Sequence, residues 1–161
     1  MYMGNGTIPA AKMLREISRA FEGAPYEIYI ASAYLQEREQ GNTHVAKRWD
    51  FNRLLDEALL FINHGGQNSI MDGLLHGVPQ LVVPGKVFER QYNAGALEKA
   101  GAGRCLKHTE FEAKRIRMLA EEIISSKEIA ENAGNIGNRL HRKDEVFLGF
   151  FQEKTEEDEE C

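Results

Sequence analysis

Apolar positions along the chain alternate between helical and extended spacing, which predicts helices interleaved with strands. Met13, Leu14, Ile17 and Phe21 recur at helical spacing, so a helix is predicted over residues 9–21, with Pro9 suited to its first turn. After a break at Pro25, Tyr26-Glu27-Ile28-Tyr29-Ile30 reads as a strand. Residues 36–43 are polar and loop-like, 45–49 form a weak strand ending at Trp49, and 52–57 form a short helix. The apolar run 58–62 then stops at His64-Gly65-Gly66. A helix over 68–76 ends at Gly77, and Val78-Pro79 leads into the apolar run Leu81-Val82-Val83. That is a βαβ unit with a glycine turn between strand and helix. A further helix over 89–100 closes at Gly101-Ala102-Gly103. Thr109-Glu110-Phe111-Glu112 reads as a capping box before a helix with Ile116, Leu119 and Ile123 on one face. Another helical stretch, 127–142, precedes an aromatic cluster at 147–151. The class is α/β.

Candidate chemistry concentrates at the glycine turn. Glycines let backbone N–H groups approach an anion with no Cβ in the way. The helix that follows adds orphan N–H donors and the positive end of its dipole, a combination that favours phosphate. At 100° per residue, Ile70, Met71, Leu74 and Leu75 face the sheet, while Ser69, Asp72 and His76 fall on the other side. Asp72 lies one turn on from Ser69, about 5 Å along the axis. A carboxylate there accepts both hydroxyl protons of a ribose whose diphosphate sits at the helix start; the alternative is a solvated acid. Gly65, Gly66, Asn68 and Ser69 offer N–H and side-chain donors to the same phosphates. Simple turn and cap chemistry calls for the same residue types.

Four ordered blocks carry a family resemblance. They are Trp49, His64-Gly65-Gly66-Gln67-Asn68-Ser69, Gly77-Val78-Pro79 and Glu89-Arg90-Gln91-Tyr92-Asn93-Ala94. Together they resemble the nucleotide-sugar-binding half of GT-B glycosyltransferases, the group of macrolide, plant-metabolite and glycolipid transferases. The plant signature begins with a tryptophan and runs through His-Cys-Gly-Trp-Asn-Ser, Gly-Val-Pro and Asp-Gln-x-x-Asn-Ala. Spacing agrees from His64 to Pro84, and one extra residue precedes Glu89. Gly4-Asn5-Gly6-Thr7 resembles the glycine loop that opens the same domain. Beyond residue 106 the likeness is only to a helical C-terminal region in general. The implied fold is a Rossmann-like parallel sheet flanked by helices, one half of a GT-B fold. Residues 1–151 would form the donor-nucleotide-binding domain, and 152–161 an acidic, disordered tail.

The resemblance also implies roles. His64 is assigned to the donor diphosphate, where an N–H-donating or protonated imidazole stabilises charge on the departing nucleotide; the alternative is a core histidine. Trp49 matches the ring that stacks on uracil in plant relatives, with a core aromatic as the alternative. Asn52 falls where those relatives carry glutamine, and Asp72 where the family usually has glutamate. Glu89 and Arg90 take the places of an Asp-Gln pair that binds sugar hydroxyls. Glutamate keeps an acceptor, but arginine is a fixed cation that cannot accept a hydrogen bond. Arg90 is therefore open to a phosphate, an acidic sugar or Glu89. Gly6 and Thr7 are a possible phosphate loop, and Thr7 fits equally well as a helix cap before Pro9.

The implied activity is transfer of a hexose from a UDP- or dTDP-sugar to an acceptor hydroxyl. The catalytic base and acceptor pocket would come from a missing N-terminal domain, so the isolated chain is expected to be inactive. No residue here reads as a catalytic base. The alternatives are a natural donor-binding subunit docking on a membrane partner through the 147–151 cluster, or half of a sugar-nucleotide epimerase. A dinucleotide-dependent oxidoreductase is disfavoured, because no Gly-x-Gly-x-x-Gly opens a helix.

Length and composition refine this only slightly. The 161 residues suit one domain, and Met1-Tyr2-Met3 is barely a strand, as expected of a cut chain. Six of the 25 acids and one of the 20 bases lie in residues 153–161, so the remainder is balanced at 19 of each. No basic excess argues for nucleic acid. Cys105 and Cys161 make no disulfide framework, and no signal peptide or membrane-length run is present, so the default is cytoplasmic, with membrane met only through a partner or acceptor. His44, His76, His108 and His141 lack metal spacing and read as solvated. No Asp-x-Asp motif is present, so neither metal nor cofactor is implied.

Overall fold

The computed structural model describes residues 1–3 and 8–141. Its elements are α1 (Ala10–Ala20), β1 (Ile28–Ala31), β2 (Arg38–Gln40), β3 (Thr43–Ala46), α2 (Phe51–Asp56), β4 (Phe61–Asn63), α3 (Gln67–Leu75), β5 (Gln80–Val82), α4 (Phe88–Lys99), β6 (Gly103–Cys105), a 3-10 turn (His108–Glu110), α5 (Ala113–Ser125) and α6 (127–141). The strands form two triplets, β1-β3-β2 and β4-β5-β6, parallel except for the β2–β3 hairpin. Tyr2 joins them through parallel bridges to Ala31 and Asn63. Its N–H donates to the Ile62 carbonyl at 2.9 Å, and the Met1 carbonyl accepts from Ala31 at 3.0 Å. Residues 1–3 thus occupy the middle of the sheet.

From that centre the chain builds outward to one side, then crosses back to build the other. The crossing creates a topological switch point between β1 and β4, where open parallel sheets form a crevice at their carboxyl ends. The His64 loop leaves the carboxyl end of β4 at that crevice. Alternation along the strands sends Leu81 and Ile62 toward α1 and α5, where they meet Ile17, Ile116 and Ile123. Val82 faces the opposite way and packs with Ile70 and Leu74 of α3, Ala94 and Leu97 of α4, and Ala133 of α6. Helices therefore cover both faces. Burying each of these valines, leucines and isoleucines contributes about 1.5–3 kcal/mol.

Several expected elements differ. The polar stretch at 36–43 contains β2, whose three residues are exposed on the sheet edge and give no apolar signal. β6 was not predicted; its short Gly-Arg-Cys sequence joins the sheet through β5 rather than through its own propensity. Trp49 lies beyond the end of β3. The expected capping box at Thr109 does not form, because His108–Glu110 is a 3-10 turn and α5 begins at Ala113 without a side-chain cap from its own N-cap residue. Buried Glu16 of α1 serves instead, accepting from the Ala113 N–H at 3.0 Å. That N–H and Arg15 hold the Glu16 carboxyl below its ordinary range. Ile116, Leu119 and Ile123 are buried as their spacing predicts. Residues 147–151 and the acidic tail lie outside the described residues, and no described helix is long and apolar enough to cross a membrane.

Candidate functional site

β4 ends at Asn63, and three residues turn the chain into α3. Gly65 takes φ +81°, a left-handed conformation that a side chain rarely adopts. A Cβ there would also stand 2.9 Å from Val82 Cγ1 and 3.0 Å from the Arg90 carbonyl. Its N–H donates to Asn63 Oδ1 at 2.8 Å, and its carbonyl accepts from Asn93 Nδ2 at 3.0 Å. Gly65 therefore shapes the loop, and its N–H is engaged internally rather than turned outward.

Gly66 is the N-cap of α3. It has extended backbone and brings no side-chain cap, which leaves first-turn N–H groups without that partner. Gln67 and Asn68 are exposed there. The helical-wheel expectation holds for Ile70 and Leu74, which are buried, but Met71 and Leu75 are only half-buried, and Ser69, expected on the open side, is buried together with Gly73. Ser69 is on the buried side because Gly73 lets that flank of the helix sit close to β5. Asp72 is exposed, as expected.

The imidazole of His64 lies across Gly66, and the residue as a whole is only 8% exposed. The Tyr2 ring stands edge-on to it, with centroids 5.3 Å apart. No described residue meets His64 Nδ1 in hydrogen-bond geometry, although the atom is buried. Burial lowers the pKa of His64 and nearby Arg90 lowers it further, while the Tyr2 backbone and Glu89 act in the opposite direction. A buried polar atom left unmatched costs about 1–3 kcal/mol. A ligand's acceptor oxygen would reach that nitrogen only once the ring turns, because the atom is closed off from solvent as it stands.

α4 supplies the second wall. Its first turn carries Glu89 and Arg90, and the Arg90 backbone packs against Gly65. The structure thus brings together His64, Gly65, Gly66, the start of α3 and the Glu89–Arg90 turn. Trp49 takes a different position. Its indole N–H donates to the Ile30 carbonyl at 3.0 Å and its ring stands edge-on to Tyr29. Gly6 and Thr7 lie outside the described residues.

Three of the other four histidines are more tied down than the solvated state expected of them. His44 meets Glu27 at 2.8 Å and stacks on Tyr29, His76 Nδ1 lies 2.8 Å from the Asp72 carbonyl, and His141 reaches the Leu75 carbonyl at 2.8 Å. Sequence reading also passed over Tyr2, Asn63 and Gln80. The last two carried a signal, since a polar residue inside a short apolar strand needs a buried partner.

Residues 36–143 match the family model described as Erythromycin biosynthesis protein CIII-like, C-terminal domain. The chain is 35% identical over 89 residues to an uncharacterized UDP-glucosyltransferase, YojK, of Bacillus subtilis (strain 168), covering 54% of this chain and 21% of that protein. It is 30% identical over 120 residues to TDP-daunosamine transferase DnrS of Streptomyces peucetius, covering 70% of this chain and 28% of that one. The chain thus spans about a fifth to a quarter of the length of these curated relatives. Among solved structures, the calicheamicin glycosyltransferase CalG4 shares the fold with a TM-score of 0.77 at 20% identity, over 92% of this chain and 41% of that one.

Proposed function

Because this chain belongs to the erythromycin biosynthesis protein CIII-like C-terminal domain family, the C-terminal domain of GT-B glycosyltransferases, we propose that it is the donor-binding half of a sugar transferase. Its donor is a hexose linked to UDP or dTDP, in keeping with the UDP and TDP named for the two relatives. One observation supports the reading above the others. A buried His64 nitrogen that no described residue meets in hydrogen-bond geometry lies beside a helix start without a side-chain cap, at the switch point of the sheet.

The diphosphate is assigned to the N–H groups at the start of α3, with Gly66, Asn68 and Ser69 around it and His64 as a side-chain donor. Asp72, one turn on, accepts from the ribose hydroxyls. Glu89 accepts from the sugar. The Arg90 guanidinium serves charge on the sugar or the phosphate, and the Trp49 ring the base. In transfer, the acceptor oxygen attacks the anomeric carbon and the bond from that carbon to the phosphate oxygen breaks. The electron pair leaves with the diphosphate, where helix donors and His64 offset the new charge. The acceptor proton goes to a base on the partner domain.

The chain alone is then expected to bind donor without transferring sugar, since transfer needs the acceptor hydroxyl within about 3 Å of a base. The test mixes the chain with radiolabelled UDP- and dTDP-sugars and an acceptor panel, with and without a relative's N-terminal domain in trans. Glycoside formed by the chain alone would overturn the half-enzyme reading.

A further inference from the structure

Both backbone polar groups of Gly65 are held by side-chain amides, Asn63 on the N–H and Asn93 on the carbonyl. The rest of the Asn63 amide is also committed. Its Nδ2 donates to Gln80 Oε1 at 2.7 Å, and Gln80 Nε2 donates to the Ile70 carbonyl of α3 at 3.0 Å. Asn63 and Gln80 are each 0% exposed. Flipping either amide would set two donors or two acceptors face to face in a dry interior, where the loss is largest. Gly73 keeps the space this needs: a Cβ there would stand 2.5 Å from Gln80 Nε2. A continuous line of hydrogen bonds therefore runs from α3, through the start of β5 and the end of β4, to Gly65.

Resting on the diphosphate reading above, we propose that Asn63, Gln80 and Asn93 are positioning residues for the donor phosphates. They touch no ligand themselves. They turn the Gly65 N–H inward and fix its left-handed backbone, which aims Gly66 and the first turn of α3 outward.

The decisive variant is Asn63→Asp in the full chain, titrated with UDP and with dTDP by calorimetry across pH. As a carboxylate, the new side chain still accepts from Gly65 but presents a second acceptor to Gln80. As a neutral acid its O–H donates to Gln80 Oε1, and the line is whole again. Burial favours the neutral form as pH falls. The expected result is binding about tenfold weaker than the parent's at about pH 8, with the gap closing toward about pH 5. A residue that matters only for stability would lower the unfolding midpoint and leave the affinity of folded molecules unchanged. Equal affinity in folded variant at about pH 8, or a gap that ignores pH, overturns the proposal. Should the variant not fold at that pH, Asn93→Asp decides on the half-buried side of the same glycine, where the same closing gap is expected and its absence is fatal. A parent that binds neither nucleotide would sink the diphosphate reading itself, whereas a binding parent with indifferent variants sinks only the positioning role.

Discussion

His64 and Gly66 occupy one space: His64 Nε2 lies 2.6 Å from the point where a Cβ on Gly66 would stand. The bare glycine lets the imidazole lie across the start of α3 instead of turning into the sheet. Gly66→Ala is therefore expected to displace the ring while leaving the helix in place, because φ at Gly66 is −64° and suits any residue. Unfolding in urea should shift by about 1 kcal/mol or less, against a loss of diphosphate affinity of about tenfold or more. A stability loss with unchanged affinity would mean that the ring position is irrelevant to binding.

His64→Ala is expected to separate phosphate from nucleoside recognition. A hydrogen bond to a charged group contributes about 1.5–3 kcal/mol, or roughly tenfold or more in affinity. UDP and dTDP should lose that much, while uridine and thymidine should bind the variant and the parent alike. Parallel losses for nucleotide and nucleoside would move His64 away from the phosphates.

The pH behaviour of His64 follows from its burial. Its folded pKa is depressed, so between that value and about 6.5 the unfolded chain holds more protons than the folded one. The resulting contribution to stability is full above about 6.5 and is lost as pH falls through the folded pKa. A diphosphate favours the imidazolium, so binding should raise the ring's titration midpoint. An NMR titration of the ring reads both effects. A midpoint at the ordinary histidine value in the free chain, or one that UDP leaves in place, would contradict this account.

The βαβ unit, the glycine loop and the helix that follows were legible because they rest on local chemistry: apolar strands, a turn requiring φ above zero and a helix start. The amide line from Ile70 to Gly65 was not, since its partners are 10 residues apart in one step and 17 in another. The central place of Tyr2 was hidden for a related reason: three residues carry no period, and only tertiary pairing draws Tyr2 into the sheet. Ser69 was set on the open side by a helical wheel that ignored how closely Gly73 admits Gln80.

Asp72 is exposed one turn beyond the helix start, so its role is readable without destabilising the fold. With Asp72→Asn the carboxylate no longer accepts two hydroxyl protons. The parent should prefer UDP over its 2′-deoxy and 3′-deoxy analogues more strongly than the variant does. If the two proteins discriminate equally, Asp72 is a solvated surface acid.

Binding of a nucleoside diphosphate by backbone donors and His64, without a cation, is the claim on which the rest depends. Calorimetric titration of the chain with UDP and dTDP in EDTA, then in magnesium, measures it directly. The account predicts saturable binding of at least one nucleotide in EDTA, little changed by magnesium and weakened about tenfold or more by His64→Ala. Binding that requires magnesium, or that His64→Ala leaves untouched in a folded chain, would contradict it.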